Sequence, residues 1–247
     1  MIAEISKCPN LLNFLAGHVE GNPCDRIIKD QAVSGGARHA PEPWSGHFRN
    51  APVIFIGLNP RFLPGIDFPS PGDADETLID FFDGRFDGPD PAIKDGVCPR
   101  LPDGGYSEAN NYWQSVKFLA EWALDKVVEP GVDYALTEVV HCCSSEGKLA
   151  YGTVGRECSA RYFRLVMEEA RNSKIWFALG TQAQEAIRVH MDFRDVDECS
   201  RLKTVEIGGS EKLVVFLNHP SARQPLRTLF PSPAEMRRIR KHVSARC

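Results

Sequence analysis

Four short apolar runs punctuate the chain: PVIFIGL (52–58), DYALTEVVH (133–141), KIWFALG (174–180) and LVVFLNHP (213–220). Each has the length of a strand. The apolar stretches are continuous rather than alternating, which predicts strands covered on both faces. Around them, apolar residues recur at helical spacing. Residues 10–17 predict a short amphipathic helix, with Leu11, Leu12, Phe14 and Leu15 clustered. Residues 110–127 predict a longer one, built on Tyr112, Val116, Leu119 and Ala123 and flanked by Trp113 and Trp122. A third helix, over 156–170, buries Tyr162, Phe163, Val166 and Met167. TQAQEAIRVHM follows the third strand as a helix, and a charged helix closes the chain from Pro233. Strands alternating with helices predict a three-layer α/β/α fold. Its central sheet would be mainly parallel and four-stranded, in one domain spanning 1–247.

Two stretches interrupt this rhythm. Residues 33–51 are rich in Gly, Pro, His and Ala and predict a loop. Residues 60–108 carry much of the proline and glycine and most of the acid, and predict a long surface excursion with one short helix near 77–82. No internal repeat and no second domain is visible.

The chain has 247 residues, enough to bury a large core without disulfides or metal. Its formal net charge of −4 excludes a uniformly basic nucleic-acid binder. The charge is uneven, however. Residues 223–247 hold seven basic side chains against one acid, net +6, and 66–108 hold eleven acids against three bases, net −8. No run approaches the about 18 apolar residues of a membrane span. The first residues lack the basic start and apolar core of a signal peptide, so an intracellular, cytoplasmic protein is expected. Disulfides are rare there, so eight cysteines call for buried thiols, a metal or a cluster.

Ligands of open parallel sheets bind at the carboxyl ends of the strands. The runs are followed there by Gly57-Leu58-Asn59-Pro60, His141-Cys142-Cys143, Gly180-Thr181 and Asn218-His219-Pro220-Ser221. That rim is the site candidate. The phosphate loops GxxxxGK[ST] and GxGxxG are absent, as is HExxH, which removes most support for nucleotide hydrolysis, dinucleotide redox chemistry and zinc proteolysis.

The first and last rim loops, Gly57-Leu58-Asn59-Pro60 and His219-Pro220-Ser221-Ala222-Arg223, resemble the two signature motifs of the uracil-DNA glycosylase superfamily. Asn110-Asn111-Tyr112-Trp113 is similar to the helix start of its mismatch-specific branch. The segment from Tyr134 to Cys142, followed by Cys158, is similar to the part that supplies two iron–sulfur ligands in its family 4 and 5 branches. The likeness spans about residues 50–225. It implies a monofunctional enzyme, a monomer, that hydrolyses the N-glycosidic bond of uracil or a related deaminated or damaged base in DNA. By the same resemblance Asn59 positions water and His219 stabilises the leaving base. Gly57, Leu58, Phe68, Glu138 and Ser221 would bind the base or its phosphate, with Phe68 stacking on it. Arg223, Leu226 and Arg227 would contact or enter DNA. The chemistry suits these residue types: a carboxamide orients a water, and a neutral imidazole donates to a carbonyl as charge develops on the base. In this setting the basic tail would lie beside the DNA face, and the acidic excursion would sit away from the phosphates or form a mobile flap.

Glu138 stands where the superfamily usually has an Asn that reads uracil. An ionised carboxylate offers only acceptors. Either Glu138 is protonated in a dry pocket, or the base differs, or backbone groups read it; alternatively the side chain points away and pairs with an arginine. Cys142 and Cys158, with fifteen residues between them, match the last two ligands of family 4. Cys8 and Cys24 would complete a [4Fe–4S] cluster, although the usual close pair is absent. Zinc or no metal is the alternative, and Cys143 could replace Cys142. Two other functions remain open: covalent trapping of abasic or uracil DNA through His219 without turnover, or a non-enzymatic iron–sulfur nucleic-acid sensor.

Overall fold

The computed structural model describes residues 1–35, 39–62, 65–193, 201–220 and 231–244, with the side chains of 32–35 and 148 excepted. Three helices open the chain: α1 (Ile2–Ser6), α2 (Pro9–Leu15) and α3 (Asp25–Gly35). They are followed by β1 (Val53–Gly57), α4 (Asp75–Asp83), and a small hairpin of β2 (Ile93–Lys94) and β3 (Cys98–Pro99). Next come α5 (Asn111–Leu124), β4 (Tyr134–Glu138), α6 (Thr153–Cys158) and α7 (Arg164–Glu169). The chain ends with β5 (Ile175–Leu179), α8 (Thr181–His190), β6 (Leu202–Ile207), β7 (Ser210–Leu217) and α9 (Pro233–Ser244).

The sheet order is β4-β1-β5-β7-β6, with the first four strands parallel and β6 antiparallel to β7. The expected α/β/α architecture is therefore present, with five strands rather than four. The missing strand, LKTVEI, exposes Glu206 and half-exposes Thr204 at the sheet edge, so it lacks the continuous apolar signature of the inner strands. It turns into β7 through Gly208 and Gly209, both at positive φ as a two-residue hairpin turn requires.

The pleat sends alternate residues to two cores. Val53, Phe55, Phe177, Val215 and Leu217 face α5 and α9. Ile54, Ile56, Trp176, Val214 and Phe216 face the N-terminal helices and the α6–α8 side. The predicted helix over 156–170 is interrupted by a π-helical turn at Ser159–Phe163 between α6 and α7.

Two predicted loops are more ordered than expected. In the stretch read as a loop over 33–51, residues 40–45 run antiparallel along β4. Ser45 exchanges backbone hydrogen bonds with Leu136, and the Glu42 N–H donates to the His141 carbonyl at 2.8 Å. In the excursion, α4 buries Leu78 and Phe82 in the main core and Lys7 pairs with Asp75. This part is a packed wall of the core, with Phe68 and Phe81 against it. Among the described residues no helix is long and apolar enough to cross a membrane.

Candidate functional site

A pocket of about 950 Å³ opens where the carboxyl ends of β1, β4, β5 and β7 meet. Asn59, Glu138, Gly180 and His219 all line it. β1 and β7 flank β5, so their loops stand about 10 Å apart across two strand spacings, enough to receive a planar base between them. The excursion supplies the outer wall through Phe68, Phe81, Arg85 and Ile93.

Parallel pairing continues past the strands on the β1–β4 side. Val139 and Val140 donate to the carbonyls of Gly57 and Leu58, Ser144 N–H donates to Pro60, and Phe62 N–H donates to Ser144. This zipper holds Asn59 against 142–144. Its Nδ2 donates to Ser144 Oγ at 2.8 Å, to the Pro60 carbonyl at 3.0 Å and to the Cys142 carbonyl at 3.5 Å. Asn59 Oδ1 has no partner among the described residues and lies on the side of Gly147, whose missing side chain leaves the space in front of it open.

His219 is mostly buried and lies face to face with Tyr112. Burial pushes its pKa down, which keeps the imidazole neutral. Gly180 makes room for it: a Cβ there would stand 3.2 Å from the His219 Cβ, and the backbone adopts φ 87°, ψ 164°, open essentially to glycine alone.

Glu138 points into the site. Its carboxyl lies over Gly57 so closely that a Cβ at Gly57 would overlap it. Among the described residues its buried Oε2 has no hydrogen-bond partner and no arginine forms an ion pair with it. Burial raises its pKa well above the carboxylate range; the neighbouring Glu42 adds to the shift and Arg85 opposes it. Arg85 is committed to Glu42 at 2.6 Å and to Ser45 Oγ at 2.6 Å. Its guanidinium also sits 5.1 Å from the Phe68 ring centroid and 5.7 Å from that of Trp113. Phe68 lines the pocket within an aromatic cluster and stacks on His39 at 4.5 Å. Burial, reinforced by Arg85, pushes the His39 pKa down to about 4.

A second, small cavity lies behind β4. Cys8 at the start of α2, Cys24 ahead of α3, Cys142 and Cys158 all line it, together with His141 and Tyr162. Burial raises the pKa of Cys142 and that of Cys158, the latter to about 12, and the other thiols of the set add to both shifts. Cys143 lines the first pocket instead, so Cys142 is the member of the pair that faces the other thiols. Four thiols line this one cavity, the number a tetrathiolate group takes. Among the described residues no three His, Cys, Asp or Glu side chains are grouped to hold a single ion.

Ser221, Arg223, Leu226 and Arg227 lie outside the described residues. In the tail, Arg240 is bound to Asp125 at 2.7 Å and to the Trp122 carbonyl, beside the carboxyl end of α5 and away from the rim. Sequence reasoning misses Glu42, Arg85, Tyr112 and Ser144 as site residues. Of these, Arg85 carries a signal as the sole cation between Asp67 and Ile93, and Tyr112 as part of Asn110-Asn111-Tyr112-Trp113. In comparisons with known proteins, no family model and no curated protein matches this chain.

Proposed function

We propose that this chain is a monofunctional DNA glycosylase that excises uracil or a related deaminated or damaged base. The observation that carries this reading is the meeting of Asn59 and His219. Some 160 residues apart in sequence, they line one pocket, the carboxamide oxygen of one without a partner among the described residues and the imidazole of the other favoured in its neutral form by burial.

The target nucleotide would be flipped out of the duplex, at a cost of a few kcal/mol, to reach this depth. The C1′–N bond breaks and its electron pair leaves on the base. A His219 N–H hydrogen-bonds the base carbonyl as that charge grows. A water that donates a hydrogen bond to Asn59 Oδ1 attacks C1′ from the other side, and its proton passes through solvent to the departing base anion, leaving a sugar hydroxyl and the neutral base. Glu138, neutral in its buried setting, offers one donor and one acceptor to the base edge, as a carboxamide does. No lysine lies within the two rim motifs, Gly57-Leu58-Asn59-Pro60 and His219-Pro220-Ser221, to form an imine.

For the thiol cavity we propose a [4Fe–4S] cluster held by Cys8, Cys24, Cys142 and Cys158. Its part would be structural, tying the N-terminal helices to the segment that anchors Asn59.

The decisive experiment incubates the purified protein with duplex and single-stranded oligonucleotides bearing uracil, hypoxanthine, xanthine or ethenocytosine. Abasic sites from at least one of them, absent with Asn59→Ala, are expected. A denaturation-resistant protein–DNA adduct without free base would replace this reading with covalent trapping. No reaction on any substrate would reject glycosylase activity.

A further inference from the structure

We infer that Ser144 is a positioning residue that sets which end of the Asn59 carboxamide meets the reacting water; the inference rests on the glycosylase reading above. The two ends of an asparagine side chain have nearly the same shape and opposite chemistry: an NH₂ that only donates and an oxygen that only accepts. A water that must attack carbon needs its own proton held and its lone pair free, so the oxygen has to face the pocket.

The partners of Asn59 decide this orientation. The Pro60 and Cys142 carbonyls only accept, so the nitrogen must be the end turned toward them. Ser144 makes the shortest of the three contacts, at 2.8 Å. Its hydroxyl proton goes to the Glu146 carbonyl at 2.9 Å, so a lone pair is what it offers to Asn59. A flipped amide would set its oxygen against two carbonyls and that lone pair.

Ser144 is itself fixed. It is 1% exposed, and both its backbone N–H and its carbonyl are used in the zipper with Pro60 and Phe62. Without the hydroxyl, the amide would keep one contact to the adjacent Pro60 carbonyl and one at 3.5 Å, too little to hold one rotamer. With its hydroxyl engaged by Asn59 and the Glu146 carbonyl, Ser144 acts through Asn59.

The test uses the full chain. In ¹⁵N-labelled protein, the side-chain NH₂ of Asn59 is assigned by its loss in Asn59→Asp. It should exchange slowly in the wild type and much faster in Ser144→Ala. Ser144→Cys, which nearly keeps the volume but offers a poor acceptor, should behave like the alanine variant. On the base the wild type excises, the single-turnover rate of Ser144→Ala should fall roughly tenfold, the worth of one hydrogen bond, with DNA affinity unchanged. The loss should vanish in an Asn59→Ala background. An active wild type whose Ser144→Ala variant keeps the full rate, or the same amide exchange, overturns the role of Ser144 and leaves the glycosylase reading standing. A wild type that excises nothing overturns both.

Discussion

The ring of Tyr112 lies on the imidazole of His219, with centroids 5.4 Å apart and planes 15° from parallel. The first residues of α5 thus clamp a side chain delivered by the loop after β7. Tyr112→Ala should lower the single-turnover rate by up to roughly tenfold, the scale of an aromatic pair beyond its burial, while Tyr112→Phe should stay close to wild type. Equal losses in both variants would assign the effect to the phenol oxygen rather than to stacking.

Glu138 gives the site a pH signature. Its pKa is raised in the folded chain, so the native state holds a proton that the unfolded state releases above about pH 4.5. The stabilisation is complete below that pH and is lost as pH rises through the folded value. Glu138→Gln should therefore raise the melting temperature, and the gain should widen with pH above that point. In activity, the wild type should fall on the alkaline side as the acid ionises and repels the base carbonyl, whereas Glu138→Gln should lack that limb. Parallel pH profiles for the two proteins would reject a neutral Glu138 as base reader.

Gly180→Ala meets two obstacles at once, a backbone conformation closed to side chains and a contact with His219. A destabilisation of about 1–3 kcal/mol is expected from the backbone alone. The His219 loop should move as well, so activity should drop even well below the melting point. Unchanged kinetics at low temperature would show that the loop accommodates the methyl.

Cys158→Ser should remove the visible absorbance and iron of an anaerobically purified, brown protein. Because Cys142 carries a thiol on one side and a carbonyl to Asn59 on the other, cluster loss should also slow excision. A colourless wild type containing zinc or no metal would reject the cluster.

How much of this is legible in the sequence depends on where each signal is written. The inner strands can be read because burial on both faces leaves continuous apolar runs, as in Val53–Gly57 and Ile175–Leu179. β6 cannot be read that way, since Glu206 faces solvent; its one local cue is the Gly208-Gly209 pair. Asn59 and His219 stand out because each directly follows a strand. Glu42 and Ser144 do not, because their roles depend on partners that only the folded chain brings near. Glu138 is legible as a position but not as a charge state, which is set by Glu42, Arg85 and burial together.

The antiparallel run of residues 40–45 has a consequence for how the molecule assembles. Its bonds to β4 continue past the strand and join Glu42 to His141 across 99 residues of chain, a loop whose closure costs entropy before any contact offsets it. The pairing of β1 with β5 closes a longer loop still, Val53 to Ile175 being 122 residues apart, so during synthesis the floor of the pocket, with Glu42, Arg85 and Glu138, is available before the rest of its rim. A chain that has not yet docked β5 and β7 would hold Glu42, Arg85 and Glu138 but lack Gly180 and His219, so the rim of the pocket closes only with the last strands.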